Sequence, residues 1–287
     1  MITKLLNKRI CDCIIKSGKK PRELFEIRLR TGRPLVVCDR YGSHIVKDSV
    51  LNGRSYITAA EDIEYTLGVA SGHSVYAVSE QLLNGYISFD GGIRIGVAGE
   101  GVVDGGKLTA LKNISSLNIR IPHEVKGCAD GIKYIVSGGL KNILILSPPG
   151  AGKTTLLREL TRLYSDKAYN ILLIDERNEI AAVAEGRGAL DTGEFTDIMS
   201  GIGKHIVYGN VIRSMRPDMI VTDELFGAED VESIRDIIRS GVRVMASLHA
   251  ASLDAIKDTV FGKLLGIFDY YILLESPGVM RVVSPPP

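Results

Sequence analysis

Residues 147–155 read Ser-Pro-Pro-Gly-Ala-Gly-Lys-Thr-Thr and directly follow an apolar run, Asn142-Ile-Leu-Ile-Leu146. An apolar strand, a glycine-rich turn and Gly-Lys-Thr opening a helix constrain the fold more than any other stretch of this chain. Gly150 and Gly152 let main-chain N–H groups turn inward around phosphate oxygens. The helix that follows offers unpaired N–H groups and the positive end of its dipole, which favour an anion there. Lys153 can reach β- and γ-phosphates, and the Thr154 hydroxyl is a ligand for Mg²⁺. Pro149, Gly150, Ala151, Gly152, Lys153, Thr154 and Thr155 are therefore the candidate nucleotide-binding residues. The usual pattern opens on glycine. Here position 147 is serine, which ends the strand and stands outside the cradle.

The texture around this motif gives the fold class. Near-continuous apolar runs at 142–147, 170–175, 218–223, 242–248 and 269–274 alternate with helical patterns near 153–164, 229–240 and 252–265. Such strands belong to a parallel sheet covered on both faces. Ligands then bind at the carboxyl ends of the strands, where the glycine-rich loop lies. The first 125 residues read differently, as a mixed α+β domain of short strands punctuated by glycine. These include 85–89, 92–98 and 116–121, and a hairpin connection at Asp39-Arg-Tyr-Gly42. Thr58 and Glu61 predict a capping box for a helix from Ala59. Ile2, Leu5, Leu6, Arg9, Ile10, Cys13 and Ile14 predict an amphipathic helix over 2–17, docked on its own domain. Pro122 and Gly127 mark the linker, so the domains are 1–125 and 126–287.

Composition excludes several classes. Lys+Arg 35 against Asp+Glu 34 leaves a net charge of +1, so no nucleic-acid partner is expected from overall charge. Trp is absent and aromatics make up 6%, too few to suggest a base-stacking platform. Cys11, Cys13, Cys38 and Cys128 supply no second ligand pair for zinc and read as reduced thiols. No signal-peptide core and no apolar stretch of about 20 residues is visible. The chain reads as cytoplasmic, with peripheral membrane contact only.

A nucleotide loop needs an acidic partner for Mg²⁺ and a group that positions water. Ile171-Leu-Leu-Ile-Asp175-Glu176 and Met219-Ile-Val-Thr-Asp223-Glu224 are both apolar strands ending in Asp-Glu. Both could flank the loop's own strand, and the residues alone do not rank them. Hydrolysis also needs positive charge against the transition state. Arg158 on the loop's helix, and Arg213 and Arg216 before the second strand, are candidates.

Arg213-Ser-Met-Arg-Pro-Asp-Met-Ile-Val-Thr-Asp-Glu224 resembles the Walker B region of the type II/IV secretion ATPases. Ile174-Asp-Glu-Arg-Asn-Glu179 resembles that family's acidic box, and Val244-Met-Ala-Ser-Leu-His249-Ala-Ala-Ser its His box. The order is the family's, and the resemblance covers most of residues 140–275. Ser147–Arg158, Ile174–Arg177, Ile212–Met215, Glu26–Arg30 with Arg33-Pro34, and Glu229–Ile234 narrow it to a sporulation-specific branch in endospore-forming bacteria. Gly201-Ile-Gly-Lys204 stands where that branch usually carries a Cys-Pro-containing stretch.

The resemblance implies a RecA-like ATPase core behind the N-terminal domain, using ATP and Mg²⁺ in a ring, expected to be a homo-hexamer. It implies that Glu224 polarises the lytic water, Asp223 holds the Mg²⁺ shell, and Asp175 and Glu176 lie near the metal or γ-phosphate. His249 would sense the γ-phosphate, and Arg213, or Arg94 and Arg120 of the first domain, would supply charge. The partners implied are membrane-embedded channel proteins between mother cell and forespore, approached from the mother-cell side. Two other classes stand beside this one: a nucleic-acid-dependent ATPase, and a nucleotide-gated scaffold with little turnover.

Overall fold

A computed structural model describes residues 2–48, 53–184 and 186–283, apart from the side chains at 22, 48, 75, 184, 187, 205 and 209–213. The chain divides into two compact units, Met1–His123 and Glu124–Pro287.

In the first unit, strands β1 (Glu26–Arg30), β2 (Val36–Asp39), β3 (Gly42–Ile45), β4 (Tyr86–Phe89), β5 (Ile93–Asp104) and β6 (Lys107–Arg120) form one sheet. Its order is β3-β2-β1-β6-β5-β4, and every pairing is antiparallel. Burial alternates as a one-sided sheet requires: Ile27 and Leu29 face the core, while Glu26, Arg28 and Arg30 are half-exposed. Helices cover the buried face. The spacing over 2–17 resolves into two helices, Ile2–Leu5 and α1 (Lys8–Lys16). Asn7 makes the break, because its side-chain oxygen caps α1 by accepting the Ile10 N–H at 2.9 Å. Leu5, Leu6, Ile10, Cys13 and Ile14 join Ile27 and Leu29 in one core, so the apolar face of α1 is taken by its own unit. The capping box of α2 (Ala60–Ala70) sits one residue later than the sequence predicts. Asp62, not Glu61, reaches back to accept the Ala59 N–H at 2.8 Å. Asp62 also accepts the Tyr56 hydroxyl, a buried anchor that Glu61 lacks.

The predicted strands at 92–98 and 116–121 continue much further. Up to residue 96, β5 also pairs with β4, and from residue 116 β6 also pairs with β1. Between those limits β5 and β6 pair with each other alone, as a two-stranded ribbon closed by Gly105-Gly106, both at positive φ. Its root is bent. Asn113 has φ 48, and a Cβ on Gly99 would come within 2.7 Å of the Lys112 carbonyl oxygen. Beyond the bend, Val103 and Leu108 lie opposite each other and exposed.

The second unit holds β7 (Ile143–Ser147), α3 (Lys153–Ser165), β8 (Ile171–Asp175), β9 (Thr196–Ser200) and α4 (Lys204–Met215). β10 (Met219–Glu224), α5 (Ala228–Arg239), β11 (Arg243–His249), β12 (Tyr270–Ser276) and β13 (Val279–Val283) complete it. The sheet runs β9-β8-β10-β11-β7-β12-β13, parallel except for the β12–β13 edge. Every residue of β7 and β8 is buried. Ile143 and Ile145 pack into one core, and Leu144 and Leu146 into another on the opposite face. Leu156, Leu157 and Leu160 of α3 bury fully against the first of these, each contributing roughly 1.5–3 kcal/mol.

Two expectations change here. Neither Asp-Glu strand flanks β7, whose neighbours are β11 and β12. The pattern over 252–265 is a short helix, Asp254–Lys257, followed by a 3₁₀ turn, Val260–Leu264. Thr259 starts that turn by accepting the Phe261 N–H.

Candidate functional site

β7 ends at Ser147, and the chain turns through residues 148–152 into α3. Gly150 (φ 77) and Gly152 (φ 96) take left-handed conformations that a side chain would strain, and Gly152 is the residue before α3. Pro149 and Gly150 are exposed, Ala151 is buried, and Thr154 and Thr155 are half-buried in the first turn. The Lys153 side chain is 8% exposed and its ammonium makes no hydrogen bond among the described residues. Burial pushes the Lys153 pKa down from its ordinary value, with Asp223 and Glu224 acting against that shift. A buried cation without a hydrogen-bond partner, over a glycine turn at a helix N-terminus, fits an incoming anion.

The carboxyl ends of β10 and β11 face this loop. Glu224 is 13% exposed and gathers two cations and a histidine ring. Its Oε2 lies 3.2 Å from Arg177 Nη1 and 4.0 Å from Lys153 Nζ, and its Oε1 lies 3.4 Å from His249 Nε2. The His249 Nδ1 stands 3.2 Å from the Ser147 carbonyl oxygen. A carbonyl only accepts, so Nδ1 carries a proton there and the ring ties the end of β7 to Glu224. The intervening position of β11 makes this bridge possible. Asp223 is buried beside Ser247, whose hydroxyl donates to Oδ1 at 3.4 Å. Burial raises the Asp223 pKa, opposed chiefly by Lys153.

β8 ends differently. The Asp175 carboxylate is fully buried and accepts the main-chain N–H groups of Glu179 (2.9 Å), Ile180 (3.0 Å) and Ala181 (2.8 Å). Burial raises its pKa, and those three donors work against the rise. Arg158, buried on α3, donates to the Glu179 and Ile180 carbonyls of the same loop. Both side chains, expected at the metal or the transition state, hold the 176–181 turn in shape. Glu176 pairs with Lys204 at 3.7 Å.

Arg216 is exposed with φ 47, and the Arg213 side chain lies outside the described residues. In the first unit Arg94 stacks 3.9 Å from the centre of the Tyr86 ring and sits opposite Arg120 in the β5–β6 register.

Two residues that the sequence reading left without a role stand in the cluster. Arg177 follows the Asp175-Glu176 pair directly and stands inside the acidic-box match, which assigned it no role of its own. Lys204 opens α4, is 6% exposed, donates to the Glu224 carbonyl, and lies 3.3 Å from Asp230 and 3.7 Å from Glu176. Lys204 belongs to the stretch where the family pattern lapses, so no motif pointed to it.

No group of three or more His, Cys, Asp or Glu arranged around a metal occurs among the described residues. A divalent ion here would rest on Thr154 and Asp223 with substrate phosphates and water, the manner in which Mg²⁺ is commonly held. Among the described residues no helix is long and apolar enough to cross a membrane.

The family model described as sporulation stage III, protein AA matches residues 1–283. Stage III sporulation protein AA of Bacillus subtilis (strain 168) is 33% identical over 273 residues, covering 91% of this chain and 86% of that protein. Among solved structures, the pilus retraction motor PilT with bound ADP superposes with a TM-score of 0.62 at 17% identity, covering 98% and 84% of the two chains. The Legionella pneumophila ATPase DotB gives 0.57 at 15%, covering 87% and 71%. The RecA-like α/β fold is common to them.

Proposed function

The chain belongs to the sporulation stage III protein AA family, and on that premise we propose that it is a Mg²⁺-dependent ATPase of the secretion-motor type. The observation that carries the reading is the convergence of Lys153, Arg177 and His249 on Glu224 beside the glycine-rich loop. Main-chain N–H groups of residues 150–155 and the Lys153 ammonium bind the β- and γ-phosphates. Glu224 orients a water molecule for attack in line with the leaving oxygen and accepts its proton. Thr154 and Asp223 would hold Mg²⁺, which when bound neutralises charge between the β- and γ-phosphates. His249 couples the phosphate loop to Glu224 through the Ser147 carbonyl. Asp175 and Arg158 shape the turn that carries Arg177, and Lys204 fixes the main chain of Glu224.

The assembled form is a homo-hexameric ring. Its ATP turnover drives assembly of, or transport through, a membrane channel between mother cell and forespore, approached from the mother-cell cytoplasm. The test is phosphate release from Mg·ATP as protein concentration rises, with Glu224→Gln and Lys153→Ala beside it. Specific activity should climb with concentration, vanish in Glu224→Gln with binding kept, and lose nucleotide binding in Lys153→Ala. Binding with no release at any concentration would make the chain a nucleotide-gated scaffold. Release that depends on added single-stranded nucleic acid would make it a nucleic-acid-dependent ATPase.

A further inference from the structure

Arg177 leaves the end of β8 and lays one guanidinium nitrogen 3.2 Å from Glu224 Oε2, the same oxygen that lies 4.0 Å from Lys153. The two cations therefore stand no further apart than those two contacts laid end to end. Arg177 is held differently from its neighbours. Its side chain is 47% exposed, and it rests against Glu224 and the Phe226 ring, 4.9 Å from the ring centre. Lys153 is buried by contrast, and Arg158 is fixed to two carbonyls. The turn beneath Arg177 is rigid, pinned by three N–H donors to Asp175. A half-exposed guanidinium on a turn pinned by Asp175, within reach of the lysine that meets the phosphates, is placed to exchange one anion for another.

Arg177 occupies Glu224 Oε2 at 3.2 Å, and His249 lies 3.4 Å from Oε1, so the carboxylate is engaged on both of its oxygens. We propose that Arg177 is a catalytic arginine supplied in cis, which leaves Glu224 for the γ-phosphate when a nucleoside triphosphate binds. The inference rests on the nucleotide reading of the loop and adds the switch that readies it. In the step itself, the water oxygen bonds to the γ-phosphorus as the bond to the β–γ bridging oxygen breaks. The electron pair leaves on the diphosphate, and the water proton passes to Glu224, which Arg177 has freed. The guanidinium carries no proton in this step; its fork binds the equatorial oxygens where charge spreads. A diphosphate has no γ-group to draw the arginine away, so the Glu224 contact reforms after release.

The test compares equilibrium binding of ADP and of a non-hydrolysable ATP analogue, both with Mg²⁺, to wild type, Arg177→Ala and Arg177→Lys, with thermal melts to establish folding. Arg177→Ala should bind ADP within about twofold of wild type and the triphosphate analogue about tenfold more weakly. Arg177→Lys should recover only part of the difference, having charge without the fork. Turnover of Arg177→Ala should fall by roughly 10³-fold, the scale of an arginine finger. An unchanged ratio of triphosphate to diphosphate affinity in Arg177→Ala would overturn the proposal and leave the nucleotide site intact. A wild type that binds neither nucleotide would overturn the nucleotide site first, and this inference with it.

Discussion

β8 and β10 end in the same dipeptide after apolar runs of similar length, yet the two Asp-Glu pairs do opposite things. Asp175 is enclosed by the chain that follows it. Residues 176–181 fold back and deliver three N–H groups to its carboxylate. Asp223 is followed by Glu224, Leu225, Phe226 and Gly227, then by α5, so no comparable turn closes over it. Its carboxylate accepts only a long hydrogen bond from Ser247 among the described residues, and its strongest opposing charge is Lys153. The glutamates differ in the same way. Glu176 meets Lys204, a buried lysine occupied with three acceptors, whereas Glu224 meets Lys153, Arg177 and the His249 ring around the phosphate loop. A charged dipeptide at a strand end is thus not a role in itself. Its role comes from whether the next six residues consume the charge.

This contrast can be broken most sharply on turnover. Asp223→Ala should lower Mg²⁺-dependent phosphate release by about a hundredfold or more, since a metal-held charge supplies several kcal/mol. Asp175→Ala, assayed where it remains folded, should keep most of its activity. Equal losses in both would erase the distinction. On stability the order reverses. Asp175→Ala strands buried main-chain donors at about 1–3 kcal/mol each, so denaturant unfolding should show a loss of about 3 kcal/mol. Asp223→Ala should stay within about 1 kcal/mol of wild type. The smallest effect sharpens the electrostatics. Burial raises the Asp223 pKa, so the folded protein holds that proton more tightly than the unfolded chain. The group's contribution to stability is then full below the ordinary carboxylate range and is lost as pH rises through the raised value. Asp223→Asn removes this loss, so its melting temperature should gain on wild type between about pH 4 and pH 7. A gain of the same size at both pH values would mean that Asp223 titrates alike folded and unfolded.

The phosphate loop was legible because its signal is local. Four apolar residues, two glycines at left-handed positions and a helix that starts on Lys153 specify the turn without distant partners. The six-stranded sheet was partly legible from alternation, but the ribbon was missed although Gly105-Gly106 lies between Val102-Val103 and Lys107-Leu108. Solvent-exposed strands lack the apolar rhythm that marks buried ones. The order of the parallel strands was not legible at all. β11 lies between β7 and β10, pairing with β10 about 24 residues before it and with β7 about a hundred residues before it, and no local spacing records the order. For the same reason Lys204 stayed silent in the sequence and Arg177 showed only as part of a motif, since each gains its role from a glutamate on another strand.

The bend at Gly99 gives the first unit a gearing ratio. From Glu100 to Asp104 the ribbon runs roughly 16 Å past its root, at about 3.3 Å per residue. A rotation of about ten degrees at the bend carries the Gly105-Gly106 tip through about 3 Å, close to one residue of strand rise. The backbone approach at Gly99 leaves no room for a Cβ beside the Lys112 carbonyl and the Ile114 Cα. The fulcrum is thus two backbones in contact, with no side chain between them to cushion it. An angle where the ribbon leaves the sheet is therefore reported as a displacement at its far end.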